Sequence, residues 1–107
     1  MADDAPKQFE IDLPQDLIGG AFADFANDWH TPNVFVMDFL TLAQPPRDEI
    51  HPDTGEAMTV VPARVVSRIR IPPEQVFELA KALTQQLEFW ERETGRRMPP
   101  SGDLPTA

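Results

Sequence analysis

The chain has 107 residues, no cysteine, and 18 acidic against 9 basic side chains, for a net charge of −9. That length fits one domain. The missing cysteines exclude disulfides, thiol nucleophiles and cysteine-held zinc or iron–sulfur centres, and the charge argues against a broad nucleic-acid footprint or docking on anionic lipid. The N-terminus lacks a basic stretch followed by an apolar one, and runs such as "NVFVMDFLTL" fall well short of the ~18–20 residues of a membrane span. The expectation is a cytoplasmic protein with no direct nucleic-acid contact, no membrane contact and no cofactor.

The ends read as disordered: an acidic stretch over 1–8 and a proline-rich tail over 96–107. Between them, 9–95 reads as a single α+β domain, short enough that a second copy of the chain would help bury its core. "FEIDLP" alternates Phe9, Ile11 and Leu13 with acids, as a short edge strand would, and Pro14 ends it. Gly19–Gly20 marks a hinge. "AFADFANDWH" follows as a strand with Ala21, Ala23, Phe25, Asn27 and Trp29 on its more apolar face. "HTPN" supplies turn chemistry. The next strand, "VFVMDFLTL", is apolar on both faces and interrupted only by Asp38, which implies cover on both sides.

"AQPPRDEIHPDTGEAM" reads as a long loop. "TVVPARVVSRIRI" is the next strand, with Val61, Val65 and Ile69 on one face and Arg64, Val66 and Arg68 on the other. "PPEQVFELAKALTQQLEFWERETG" is the clearest helix. Pro73 and Glu74 suit its first turn, and Gly95 suits its end. Val76, Leu79, Ala80, Leu83, Leu87 and Trp90 form one stripe, while Phe77 and Phe89 fall outside it.

These elements predict an antiparallel β-meander of three or four strands with one long C-terminal helix packed on one face. That face would carry Phe35, Met37, Phe39, Val61, Val65 and Ile69. The other would keep Val34, Val36, Leu40, Leu42 and Val66 uncovered. A homodimer or tetramer burying this second face is expected, with Asp38 paired to Arg64 or Arg68 inside it. The candidate interface and partner-binding residues are therefore Val34, Val36, Asp38, Leu40, Arg64, Val66, Arg68, Phe77 and Phe89. Phe77, Phe89, Met58 and the long loop would together offer an apolar groove for a peptide or helix.

The chemistry of an active site is weak by comparison. Asp24, Asp28, His30, Asp38 and His51 include nitrogen and oxygen donors, but without metal-binding spacing. Ser67 has no nucleophile elbow, and no phosphate-binding glycine loop is present. The expectation is a non-enzymatic protein-interaction module with an unidentified protein partner. The alternatives are a chaperone-like holder of unfolded chains and a ligand- or metal-binding enzyme using His30, Asp38, Arg64 and Arg68. Accessory docking on the protein parts of a nucleic-acid machine is a further possibility.

The pieces "GGAFADF", "HTPNVFVMDFL", "ARVVSRIRIPPEQ" and "LAKALTQQLEFWE", in this order, resemble a small bacterial family, domain of unknown function 3467. The resemblance runs from Leu13 to Trp90 and departs in the longer stretch Arg47–Thr59 and at both ends. It implies no activity. The layout alone is similar to the SecB-type export chaperones, which would imply dimers or tetramers presenting apolar grooves.

Overall fold

The structure, a computed structural model, describes residues 5–98. Its elements in chain order are β1 (Phe25–His30), β2 (Phe35–Leu42), β3 (Arg47–Ile50), β4 (Ala57–Val60), β5 (Ala63–Ile71) and α1 (Val76–Thr94). Single 3-10 turns cover Gln15–Leu17 and Pro73–Gln75. The fold is α+β: a three-stranded antiparallel sheet in the order β1-β2-β5, a two-stranded sheet β3-β4, and one long C-terminal helix.

The β1–β2 hairpin follows from its turn. Thr31 N–H donates to the Val34 carbonyl at 2.9 Å. The Thr31 hydroxyl oxygen in turn accepts the amides of Asn33 at 3.3 Å and Val34 at 3.2 Å, so the side chain organises the turn that Pro32 begins. At the far end of β1, Asp24 takes over from the strand. Its N–H donates to the Leu40 carbonyl at 2.7 Å, and its carboxylate accepts the Leu42 amide at 2.8 Å. The strand read over Ala21–His30 is therefore shorter than its pattern suggested, because the carboxylate of Asp24 stands where a further backbone acceptor would be.

The long loop is a second hairpin, which corrects its reading as irregular. Arg47–Ile50 pairs with Ala57–Val60 across a turn held by His51 and Gly55. The His51 Nδ1 accepts the amides of Asp53 and Thr54, and Gly55 adopts a φ of 74°, which favours glycine. The ribbon prolongs the β2–β5 hairpin: after Leu42↔Ala63, Ala43 N–H donates to the Pro62 carbonyl, and pairing resumes at Arg47↔Val60. Pro45, Pro46 and Pro62 separate the two sheets, since a proline removes a ladder donor.

Sheet register places Phe25, Asn27, Trp29, Val36, Asp38, Leu40, Leu42, Arg68 and Arg70 on one face. Phe35, Met37, Phe39, Ser67, Ile69 and Ile71 share the other. The ladder shifts between Phe39 and Leu40: Phe39 opposes Ser67 and Leu40 opposes Val65, so Val66 is an extra residue in β5. This bulge exchanges faces for everything before it. Val65 and Ala63 move to the Asp38 face and Arg64 to the opposite one, which corrects the strict alternation read from the sequence. Val61 lies outside the strands altogether.

Helix α1 stops at Gly95, whose φ of 69° allows its N–H to donate to the Glu91 carbonyl at 2.9 Å. The helix is not laid across the sheet. None of its residues is buried, and Leu83 is 62 % and Phe77 72 % exposed. The connector explains this. Only Pro72, extended at φ −68° and ψ 148°, and the turn opened by Pro73 separate β5 from α1, so the chain has no slack to reverse. Among the described residues, Val36 is the one buried apolar residue. The radius of gyration is 19.0 Å, against about 13 Å for a compact domain of this length.

Residues 1–4 and 99–107, which contain most of the two predicted disordered ends, lie outside the described residues. "FEIDLP" carries no strand pairing in this chain, so the sheet gains no strand from it.

Candidate functional site

The best-ordered polar feature is on the face of Val36. Asp38 stands in the middle of β2, opposite Asn27 of β1 and Arg68 of β5. The Arg68 Nε donates to Asp38 Oδ1 at 2.6 Å, and its Nη2 donates to Oδ2 at 2.9 Å, giving a forked two-bond pair. Asp38 is 5 % exposed, yet the guanidinium is half open to solvent. The cover over the carboxylate is thus about one side chain deep.

The Trp29 ring adds to that cover, with the Arg68 guanidinium carbon 5.8 Å from its centre. The hydrogen bonds from Arg68 hold the Asp38 carboxyl below the usual carboxylate range; burial opposes this, and the charge of Arg68 and the Trp29 indole assist it. Arg68 is raised in turn, chiefly by the same hydrogen bonds. Two donors from one guanidinium hold this acid ionised. It serves as a fixed peg that locks β2 and β5 in register.

The predicted residues separate into three groups. Val36, Asp38, Leu40 and Arg68 share one face, as expected. Val34 lies in the turn before β2, where its carbonyl and amide bond to Thr31. Val66 is the bulge residue, and Arg64, opposite Thr41, is on the other face. The expectation that Arg64 accompanies Asp38 is corrected by the bulge. His30 faces away from Asp38 as well, stacked on Phe35 with ring centres 5.3 Å apart. The four residues of the ligand-binding alternative are therefore divided between two faces.

Phe77 and Phe89 sit on the helix, twelve residues or about 18 Å apart along its axis and on different sides. Met58 belongs to β4, whose strand pairs only with β3. The structure does not assemble these three into one groove. Beyond Phe89 the helix ends in aromatic–arginine contacts, Arg92 over Phe89 at 5.2 Å and Arg96 over Trp90 at 4.8 Å. The residues that reading the sequence passed over are Trp29 as cover for the ion pair and Asn27 opposite Asp38. Only the cross-strand register identifies them.

Among the described residues, no cluster of three or more histidine, aspartate or glutamate side chains is arranged to hold a metal, and no helix is long and apolar enough to cross a membrane.

The family model described as "Protein of unknown function (DUF3467)" matches residues 1–97 of the chain. The chain belongs to this family. No curated protein and no solved structure matches it.

Proposed function

We propose that this DUF3467 protein is a non-enzymatic, cytoplasmic, homo-oligomeric module that binds another protein. One observation carries the reading: the chain buries a single apolar side chain among its described residues, while Leu83 and Leu87 of the helix stripe and Trp29, Leu42, Val65 and Ile69 of the two sheet faces stay exposed. Apolar surface on that scale marks an interface. A domain whose core is completed by a second copy is stable only in association. The Asp38–Arg68 pair fits such an interface, because a forked, mutually neutralised pair tolerates being covered far better than a lone charge does.

Sedimentation velocity across a concentration series tests the assembly. A dimer or tetramer is expected, with monomer appearing only together with loss of circular dichroism. A folded monomer at every concentration overturns the proposal. Affinity capture from native cells, followed by mass spectrometry, then asks for the partner.

Holding of unfolded chains is the second reading, supported by the exposed Leu83, Leu87, Phe77 and Phe89 on one helix. It requires that the purified oligomer suppress aggregation of a denatured model substrate at stoichiometric amounts. No suppression removes this reading and leaves the first intact.

A further inference from the structure

The sheet order β1-β2-β5 leaves β5 at an edge, nine residues long and, among the described residues, unpaired on its outer side. Long open edges invite another strand. Along the last part of this edge the side chains alternate strictly. Ser67, Ile69 and Ile71 stand on the Phe35–Met37–Phe39 face, and Arg68 and Arg70 stand on the Asp38 face. Among the described residues Arg70 has no ion-pair partner, and Arg68 is engaged by Asp38 through Nε and Nη2 alone.

The chain itself contains the complementary strip. Phe9, Ile11 and Leu13 alternate with Glu10 and Asp12, and Pro14 ends the run. This segment has the pattern of a half-buried strand yet pairs with no strand among the described residues. Phe9 is 83 % and Ile11 89 % exposed. Centring Ile11 on Ile69 matches all five positions whichever way the strand runs. Phe9, Ile11 and Leu13 then extend the apolar face, and Glu10 and Asp12 meet Arg68 and Arg70. A slip of one residue would place acids against isoleucines, so the register is specified.

Its own edge is poorly placed for the segment. Asp24 is tied to Leu40 and Leu42 on the β1 side of β2. The chain therefore enters at the edge two strands away from the free side of β5, and at the end of the sheet opposite Ile69 and Ile71. Reaching that site within one chain means crossing a sheet face over three strand spacings, about 14 Å sideways, and about 20 Å lengthwise. A second copy meets the edge without that crossing.

We propose that Phe9–Leu13 of one copy adds as a fourth strand to the free edge of β5 in a second copy, centred on Ile69, so that the oligomer is built by strand exchange. This rests on the homo-oligomeric reading and specifies how that assembly is made.

The absence of native cysteine makes the test direct. The full-length variants Ile11→Cys and Ile69→Cys are co-refolded and mildly oxidised. The expected result is a disulfide between an I11C chain and an I69C chain, seen at twice the chain mass without reductant. Adding Glu10→Lys and Asp12→Lys to the I11C chain should cut that yield at least fivefold. In the unaltered protein, the amides of residues 9–13 should be protected from hydrogen exchange at concentrations where the oligomer forms and lose that protection on dilution. This second measurement needs no substitution to fold. In a chain carrying both Ile11→Cys and Ile69→Cys, a cross-link confined to single chains overturns the exchange. Absent cross-linking and unprotected amides in a protein that sediments as an oligomer overturn it while leaving the assembly standing. The same absence in a folded monomer overturns both.

Discussion

At the scale of single residues, the decisive one is Asp38. An acid in an otherwise apolar strand is a misfit until Arg68 is seen gripping both of its oxygens. Because hydrogen bonding lowers its carboxyl pKa in the folded state, the stability it contributes is fully present above the unfolded carboxylate value of about 3.9. That contribution is lost as pH falls through the lower folded value. Asp38→Asn should therefore lower the melting temperature at pH 7, and the gap from the unaltered protein should close in acid, below about pH 3.9. Scanning calorimetry at pH 7, 4 and 3 measures it; a gap that widens in acid contradicts the assignment. Replacing Asp38 and Arg68 together by leucine should cost less than Arg68→Leu alone, because a buried carboxylate stranded without its partner is worse than none. Thr31 is the second case. Thr31→Val removes an acceptor from two turn amides and should cost about 0.5–1.5 kcal/mol in denaturant unfolding, through one net hydrogen bond. The turn was readable from Pro32 and Asn33, but which side chain organised it was not, since Asn33 is as ready a turn acceptor as Thr31.

At the scale of elements, the legible parts were those governed by local rules. The β1–β2 hairpin, β5 and the helix from Pro73 to Gly95 all follow from turn residues, alternation and capping. Gly95→Ala should cost about 1 kcal/mol, because alanine must enter the left-handed region that ends the helix. The misreadings came from pairing. Arg47–Val60 contains a histidine, a Pro-Asp-Thr-Gly turn and few β-branched residues, so nothing local distinguishes a ribbon from a loop. It becomes a ribbon because it continues the β2–β5 ladder past the prolines. As β3 and β4 pair only with each other, replacing 46–61 by a short turn should leave the three-stranded sheet and its oligomeric state unchanged. Circular dichroism and sedimentation check this. A dissociated product would make the ribbon part of the interface. The bulge at Val66 is the other misreading. A bulge has no composition of its own here, yet it carried Arg64 away from the face where alternation had put it.

At the scale of the whole molecule, the helix decides the outcome. Nineteen residues with an exposed apolar stripe are marginal as an isolated helix in water. Leu83 and Leu87 each stand to contribute about 1.5–3 kcal/mol when covered. The double variant Leu83→Asp, Leu87→Asp should therefore weaken association by a factor of at least about a hundred. Helical circular dichroism and oligomer should disappear together on dilution. Retention of both at low concentration would show that the stripe meets no partner. The sequence by itself determined the elements, the charge, the lack of thiol chemistry and the apolarity of both sheet faces, because these depend on neighbours within a few residues. It also implied that one chain could not cover all its apolar surface. Only the tertiary structure decided which residues share a face and where the helix goes. A bulge resets the alternation of a strand, and a Pro-Pro connector of almost no length carries the helix away from the sheet that its stripe was expected to cover.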